Sequence, residues 1–189
     1  MKSESTPIYQ IKITLLRSEP PIWRSILVRS DIKLSRLHKI FQATMGWHDY
    51  HMHQFVTDHE RYGWPDPEYF DPEASTLNEK HYTLAHIASA EESRFIYEYD
   101  FGDCWQHEVV IEKILPADDL FKRPFCVGGA NACPPEDCGG MTGYSDFLRI
   151  LANPDDEEHE EMKEWLGVEF DSTLFDLRHV NALLRQLKS

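Results

Sequence analysis

Residues Arg94 to Leu115 constrain the fold more than any other stretch of the chain. Phe95, Tyr97, Tyr99 and Phe101 alternate with Ile96, Glu98 and Asp100, and a second run follows from Trp105 to Leu115. Alternation with a period of two puts one face of a strand in the core. Gly102-Asp103 lies between the two runs, and such a pair supplies a turn. The spacing therefore predicts an antiparallel hairpin.

The same period opens the chain. Ile11, Ile13 and Leu15 alternate with polar residues in a predicted strand from Ile8 to Leu16. Glu19-Pro20-Pro21 breaks it, and Ile22 to Arg29 forms a second strand with Ile22, Ile26 and Val28 on one face. Leu34, Leu37, Ile40, Phe41 and Met45 then follow helical spacing, with Gly46 as a C-cap. Trp47 to Thr57 returns to strand character. Asp58 to Lys80 is acidic and rich in Pro and aromatic residues, an ordered excursion or a mobile loop. Thr83 to Ala90 reads as a short helix.

Cys126 to Gly143 is dense in Gly, Pro and Cys and reads as irregular. Helices follow at Tyr144–Leu151, at Glu157–Leu166 before Gly167, and at Leu174–Leu187. Strands first and helices last imply an α+β fold with a mainly antiparallel sheet, packed helices and a helical C-terminal third. The expectation is one domain over residues 8–187 behind a short tail, 1–7.

With 189 residues, 41% of them apolar, the chain has enough material for a real core. Its net charge of −14 opposes tight binding to duplex DNA. The charge is uneven, however: seven bases face two acids between Ile8 and Lys39. Arg17, Arg24, Arg29 and Arg36 form a basic patch there, either a solvated face or a site for an anionic ligand. No apolar run approaches the roughly 20 residues of a membrane helix. The start, from Met1 to Pro7, lacks the apolar segment of a signal peptide. The expected location is cytoplasmic, where Cys104, Cys126, Cys133 and Cys138 are reduced thiols or metal ligands.

Three constellations could carry chemistry. His51 and His53 on one strand would share a face with Phe55, which suits a common metal or anion as well as two hydrogen-bonded histidines at a sheet rim. Asp103 at the turn and His107 on the returning strand come within plausible reach, and a carboxylate can orient an imidazole as base or ligand. Asp103 in an Asx turn is the bland alternative. The predicted polar cluster is thus His51, His53, Asp103 and His107, at one end of the sheet beside the Cys133–Gly140 loop. Cys126, Cys133 and Cys138 could hold zinc, but their spacing lacks the C-x2-C knuckle, and Pro-Pro and Gly-Gly stiffen the loop without metal. His159 lies on the apolar side of its helix and reads as a core-rim residue. No GxGxxG, Walker loop, HExxH or Ser-centred elbow occurs.

Several short motifs taken together resemble one family. They are Pro20-Pro21-Ile22-Trp23-Arg24, Leu37-His38, Met45-Gly46-Trp47, His51-x-His53-Gln54-Phe55, Tyr97-x-Tyr99-Asp100-Phe101-Gly102-Asp103, Trp105-x-His107, Cys133-Pro134-Pro135-Glu136-Asp137-x-Gly139-Gly140 and Trp165-Leu166-Gly167. In that order they resemble the plasmid ORF-3-like family, over about residues 8 to 181. The resemblance implies an α+β fold and a link to mobile elements, and supplies no activity, cofactor or catalytic residue. Three functions stay open: a binding or accessory module using Tyr62, Trp64 and the acidic surface against a basic protein partner; a nucleic-acid accessory factor using the arginines; and a metal-dependent hydrolase using the histidine–aspartate cluster.

Overall fold

The computed structural model describes residues 6–64, 76–167 and 169–187. Eight strands in these residues form one sheet: β1 (Ile8–Leu15), β2 (Trp23–Arg29), β3 (His53–Val56), β4 (Arg61–Gly63), β5 (Thr76–Asn78), β6 (Arg94–Tyr99), β7 (Trp105–Leu115) and β8 (Phe125–Ala130). Their spatial order is β5-β4-β3-β6-β7-β1-β2-β8. All neighbours are antiparallel except β4 and β5. Five helices accompany the sheet: α1 (Leu34–Met45), α2 (Leu84–Ile87), α3 (Gly140–Leu151), α4 (His159–Leu166) and α5 (Leu177–Gln186). Among the described residues no helix is long and apolar enough to cross a membrane.

The alternation seen in the sequence sets which face of the sheet is covered. Ile11, Ile13 and Leu15 of β1 stand beside Ile26 and Arg24 of β2 and beside Ile111, Val109 and His107 of β7. Farther along, Phe55, Tyr97 and His107 are in register across β3, β6 and β7. All of these are buried. The opposite face carries a polar ladder, in which Gln10 and Ser25 donate to Glu112 at 2.9 Å each. Helix α1 covers the buried face with Leu34, Leu37, Ile40, Phe41 and Met45, and Gly46 ends it in the left-handed region at φ 92°.

Several boundaries differ from the sequence expectation. Residues 47–52 are not strand: Asp49 takes a positive φ of 62°, and Trp47 turns into the core to donate from Nε1 to Pro134 O at 3.0 Å. Only His53–Val56 pairs as β3, so His51 and His53 do not share a strand face. Part of the Asp58–Lys80 segment is ordered as β4 and β5, and residues 65–75 fall outside the described residues. The region from Cys126 to Gly143, expected to be irregular, begins with β8, which hydrogen-bonds to β2 as an edge strand. The last helix starts at Leu177 rather than Leu174, because the Asp176 carboxylate accepts from the amides of Arg178 and His179 as an N-cap. Leu174, expected on the buried face, is 61% exposed. The C-terminal third thus combines a strand, three helices and long connections.

Candidate functional site

The most concentrated polar cluster lies where α1 meets β3. His38 and Gln42 are four residues apart on α1 and so project from one helical face. Both reach the buried hydroxyl of Tyr97, His38 through Nδ1 at 2.8 Å and Gln42 through Nε2 at 3.0 Å. His38 is itself only 2% exposed. Its Nε2 lies 2.6 Å from Asp49 Oδ1. Asp49 sits in the turn after α1, fixed by its amide donating to Gln42 Oε1 at 2.9 Å. Lys39 also reaches Asp49.

The ring of His53, at the start of β3, stacks on His38 with centroids 3.4 Å apart and planes 1° from parallel. His53 Nε2 meets Glu79 Oε2 at 2.8 Å, and Glu79 is buried in the 3-10 turn Glu79–His81. Two imidazoles lie face to face, and each reaches a carboxylate.

The hydrogen-bond inventory assigns the His38 tautomer. Gln42 donates to the Tyr97 oxygen, so the single phenolic proton is available for His38 Nδ1. Nε2 then carries hydrogen and donates to Asp49. Burial, and after it the neighbouring His53, push the His38 pKa down to about 3. Burial alone would raise the Asp49 carboxyl, but Lys39 and His38 together hold it below the usual range. One nitrogen of His38, one of His53 and one oxygen of Asp49 lie within 4.8 Å of each other.

A second cluster lies under the loop before α3. His51 Nε2 is 3.1 Å from Asp137 Oδ1 and 3.7 Å from Asp100 Oδ2, close enough to pair by charge but off the line of a hydrogen bond. Asp100 accepts from the amides of Gly102 and Asp103, and Asp103 Oδ2 accepts from Gly139 N at 3.2 Å. Glu136 accepts from the Tyr99 hydroxyl at 2.5 Å and from His48 N at 3.1 Å. These bonds tie the loop to the end of the sheet. The seam is tight: a Cβ on Gly143 would lie 1.8 Å from Cys138 O. Gly143→Ala is expected to cost roughly 1–3 kcal/mol by forcing the loop off α3, measured as a lower midpoint in urea unfolding.

The predicted four-residue cluster is thus divided. His51 and Asp103 sit at the roofed sheet end. His53 and His107 flank Tyr97 on the covered face, at 6.1 Å and 5.5 Å between ring centroids. His107 is fully buried, with Nδ1 3.2 Å from Tyr97 O, and it belongs to the core. Among the described residues, the groups of three or more metal-capable side chains contain none of Cys126, Cys133 and Cys138. Cys126 is held in the core of β8, and burial raises all three thiols, Cys138 to about 12.

The basic patch is divided too. Arg24 is 3% exposed and spends its donors on carbonyls, while Arg29 pairs with Asp31. Arg17 lines one cavity, and Arg29 and Arg36 line another. Tyr62, expected at the surface, is buried against Tyr82, whereas Trp64 is 49% exposed under Lys80. His38 was named in a family motif but not as a site residue, and Asp49 and Glu79 were not singled out from sequence. The available signal was His38 itself, a polar residue on the apolar face between Leu37 and Phe41.

Comparison with known proteins gives three findings. A family model described as plasmid pRiA4b ORF-3-like protein matches residues 7–179. Uncharacterized protein y4hQ of Sinorhizobium fredii (strain NBRC 101917 / NGR234) is 35% identical over 181 residues, covering 95% of this chain and 92% of that protein. The crystal structure of MM3350, a protein of unknown function from Methanosarcina mazei Go1, superposes with a TM-score of 0.82 at 34% identity, over 93% of this chain and 97% of the other.

Proposed function

This chain belongs to the plasmid pRiA4b ORF-3-like family, and from that premise we propose that it is a binding module for a divalent transition-metal ion. The ligands are His38, Asp49 and His53, with Glu79 behind His53. One observation carries the reading: three donor atoms from a helix, a turn and a strand lie within 4.8 Å of each other. Two imidazole nitrogens and a carboxylate oxygen form a donor set suited to zinc, cobalt(II) or iron(II).

The surroundings support the same reading. Tyr97, itself held by Gln42, fixes the far nitrogen of His38, as outer groups hold metal-bound histidines. Asp49 and Glu79 bring two carboxylates to the stack. Among the described residues Lys39 is the one lysine or arginine paired with either, and a divalent ion would supply further positive charge. Parallel rings cannot both aim a lone pair at one ion, so binding opens the His38–His53 stack. To ligate through Nε2, His38 would carry its proton on Nδ1, facing the Tyr97 oxygen. The nucleic-acid reading loses support, since Arg24 is buried and Arg29 is paired.

Chelator-treated protein titrated with zinc and with cobalt(II) is expected to bind one ion per chain, read by equilibrium dialysis with elemental analysis. His53→Ala and Asp49→Ala should each weaken binding at least tenfold, and Tyr97→Phe roughly tenfold. His107→Leu, outside the set, should leave it unchanged. Absence of stoichiometric metal, or full affinity in a His38→Ala/His53→Ala double variant, would overturn the proposal.

A further inference from the structure

We propose that a cavity between the start of α1, the 121–124 segment and the end of α5 binds a small organic anion with an apolar body. This site is separate from the metal cluster and does not depend on it. The cavity encloses about 230 Å³. That is below the roughly 300–1,000 Å³ of pockets for drug-sized ligands, so the ligand is small. Val28 and Leu184, both 1% exposed, line its apolar part together with Ile32 and Phe121.

Its charged lining is one-sided. Arg29, Arg36, Lys122 and Arg123 border it, against Asp31 as the one acid among the lining residues. The chain has 19 bases among 33 acids, so four bases around one cavity run against its overall balance. Asp31 is already engaged: it accepts from Arg29 Nε at 3.0 Å and from Nη2 at 2.8 Å. Thr6 Oγ1 takes a further Arg29 Nη2 hydrogen at 3.0 Å. A guanidinium has five N–H donors, so the two on Nη1 are left over from these bonds. Asp119 acts on Arg29 by charge but does not line the cavity.

Arg123 donates from Nη1 to Arg185 O at 2.8 Å, which ties its arm to α5 and lowers the entropy cost of meeting a ligand. The fork of an arginine matches carboxylate and phosphate oxygens alike. A small anion with an apolar tail fills both halves of this lining. A polyanion would meet the negative remainder of the surface.

Calorimetric titrations at low salt test this with four probes: octanoate, phenyl phosphate, octyltrimethylammonium and octanol. We expect octanoate or phenyl phosphate to bind one per chain, and the stronger of the two identifies the headgroup. Octyltrimethylammonium and octanol should bind at least tenfold more weakly. Arg36→Glu should weaken the better anion at least fivefold. The exposed Lys122→Glu, which leaves packing untouched, should do so with an unchanged thermal midpoint. No saturable anion binding at millimolar concentration, equal binding of octanol, or affinities within twofold in both variants would overturn the proposal.

Discussion

Replacing Arg24 by Ala is expected to lower stability by about 3–5 kcal/mol, because it strips the donors from several carbonyls and leaves a cavity in the core. Arg24 occupies the position on β2 opposite Ile13, on the covered face of the sheet. Among the described residues no carboxylate pairs with it. Instead Nε donates to Thr44 O at 3.0 Å, Nη1 to Trp23 O and Ala130 O at 2.8 Å each, and Nη2 to Asn131 O at 2.9 Å. The guanidinium also lies 4.4 Å from the ring of Phe175. One side chain thereby joins the end of α1, the start of β2, the end of β8 and the segment before α5.

Truncation takes these donors from one buried and three part-buried carbonyls and leaves a space the size of the guanidinium. Arg24→Lys keeps the charge but offers a single nitrogen in place of a fork, so it should recover less than half of the loss. Denaturant unfolding of the three proteins measures both effects. A loss below 1 kcal/mol for Arg24→Ala would show that these carbonyls find other partners.

The second large effect is acid sensitivity from His107. This ring is fully buried, with Tyr97 and Trp47 packed around it and Nε2 without a hydrogen-bond partner among the described residues. Burial pushes its pKa down to about 4 from an ordinary 6.5, with the charge of Arg24 adding in the same direction. The sign follows from which state takes up the proton first. Below pH 6.5 the unfolded chain protonates at this residue while the folded one does not, so stability falls as pH falls. The loss begins near 6.5 and is complete near 4, where the folded protein also accepts the proton. A difference of 2.5 in pKa corresponds to about 3 kcal/mol. Unfolding free energies at pH 7 and pH 4.5 should differ by at least most of that amount, because His38, held at about 3, loses stability over the same range. His107→Leu should remove its own share of the slope whatever it does to stability at pH 7. An equal slope in the variant would assign the acid sensitivity to other groups.

Elements that bury one face according to local periodicity could be read before the fold was known. The Arg94–Leu115 hairpin, β1, β2 and α1 all appear close to where their apolar spacing puts them. The turn itself works differently from a Gly-Asp pair: Asp100 and Cys104 take the positive φ values, and Asp100 accepts the amides of Gly102 and Asp103. The candidate site was less legible. His53 was visible as one of a histidine pair, but its partners, His38 stacked on its ring and Glu79 hydrogen-bonded to it, come from 15 residues upstream and 26 downstream. Spacing along the chain carries no information about such a meeting.

The sequence by itself determined the class of fold, the inward face of the long strands and the acidic balance, because side-chain period and charge are local properties. Tertiary structure decided the rest through contacts that local patterns do not encode. Phe125–Ala130 looks like a loop because it carries two glycines, yet Gly129 lacks a side chain for a long-range reason. A Cβ there would stand 2.6 Å from Phe175 and 2.8 Å from Arg24 Cδ. Arg24 reads as surface charge until the carbonyls that surround it are assembled. His38 reads as a flaw in an apolar helix face until β3 brings His53 against it. In each case the residue type answers to partners that only folding brings together.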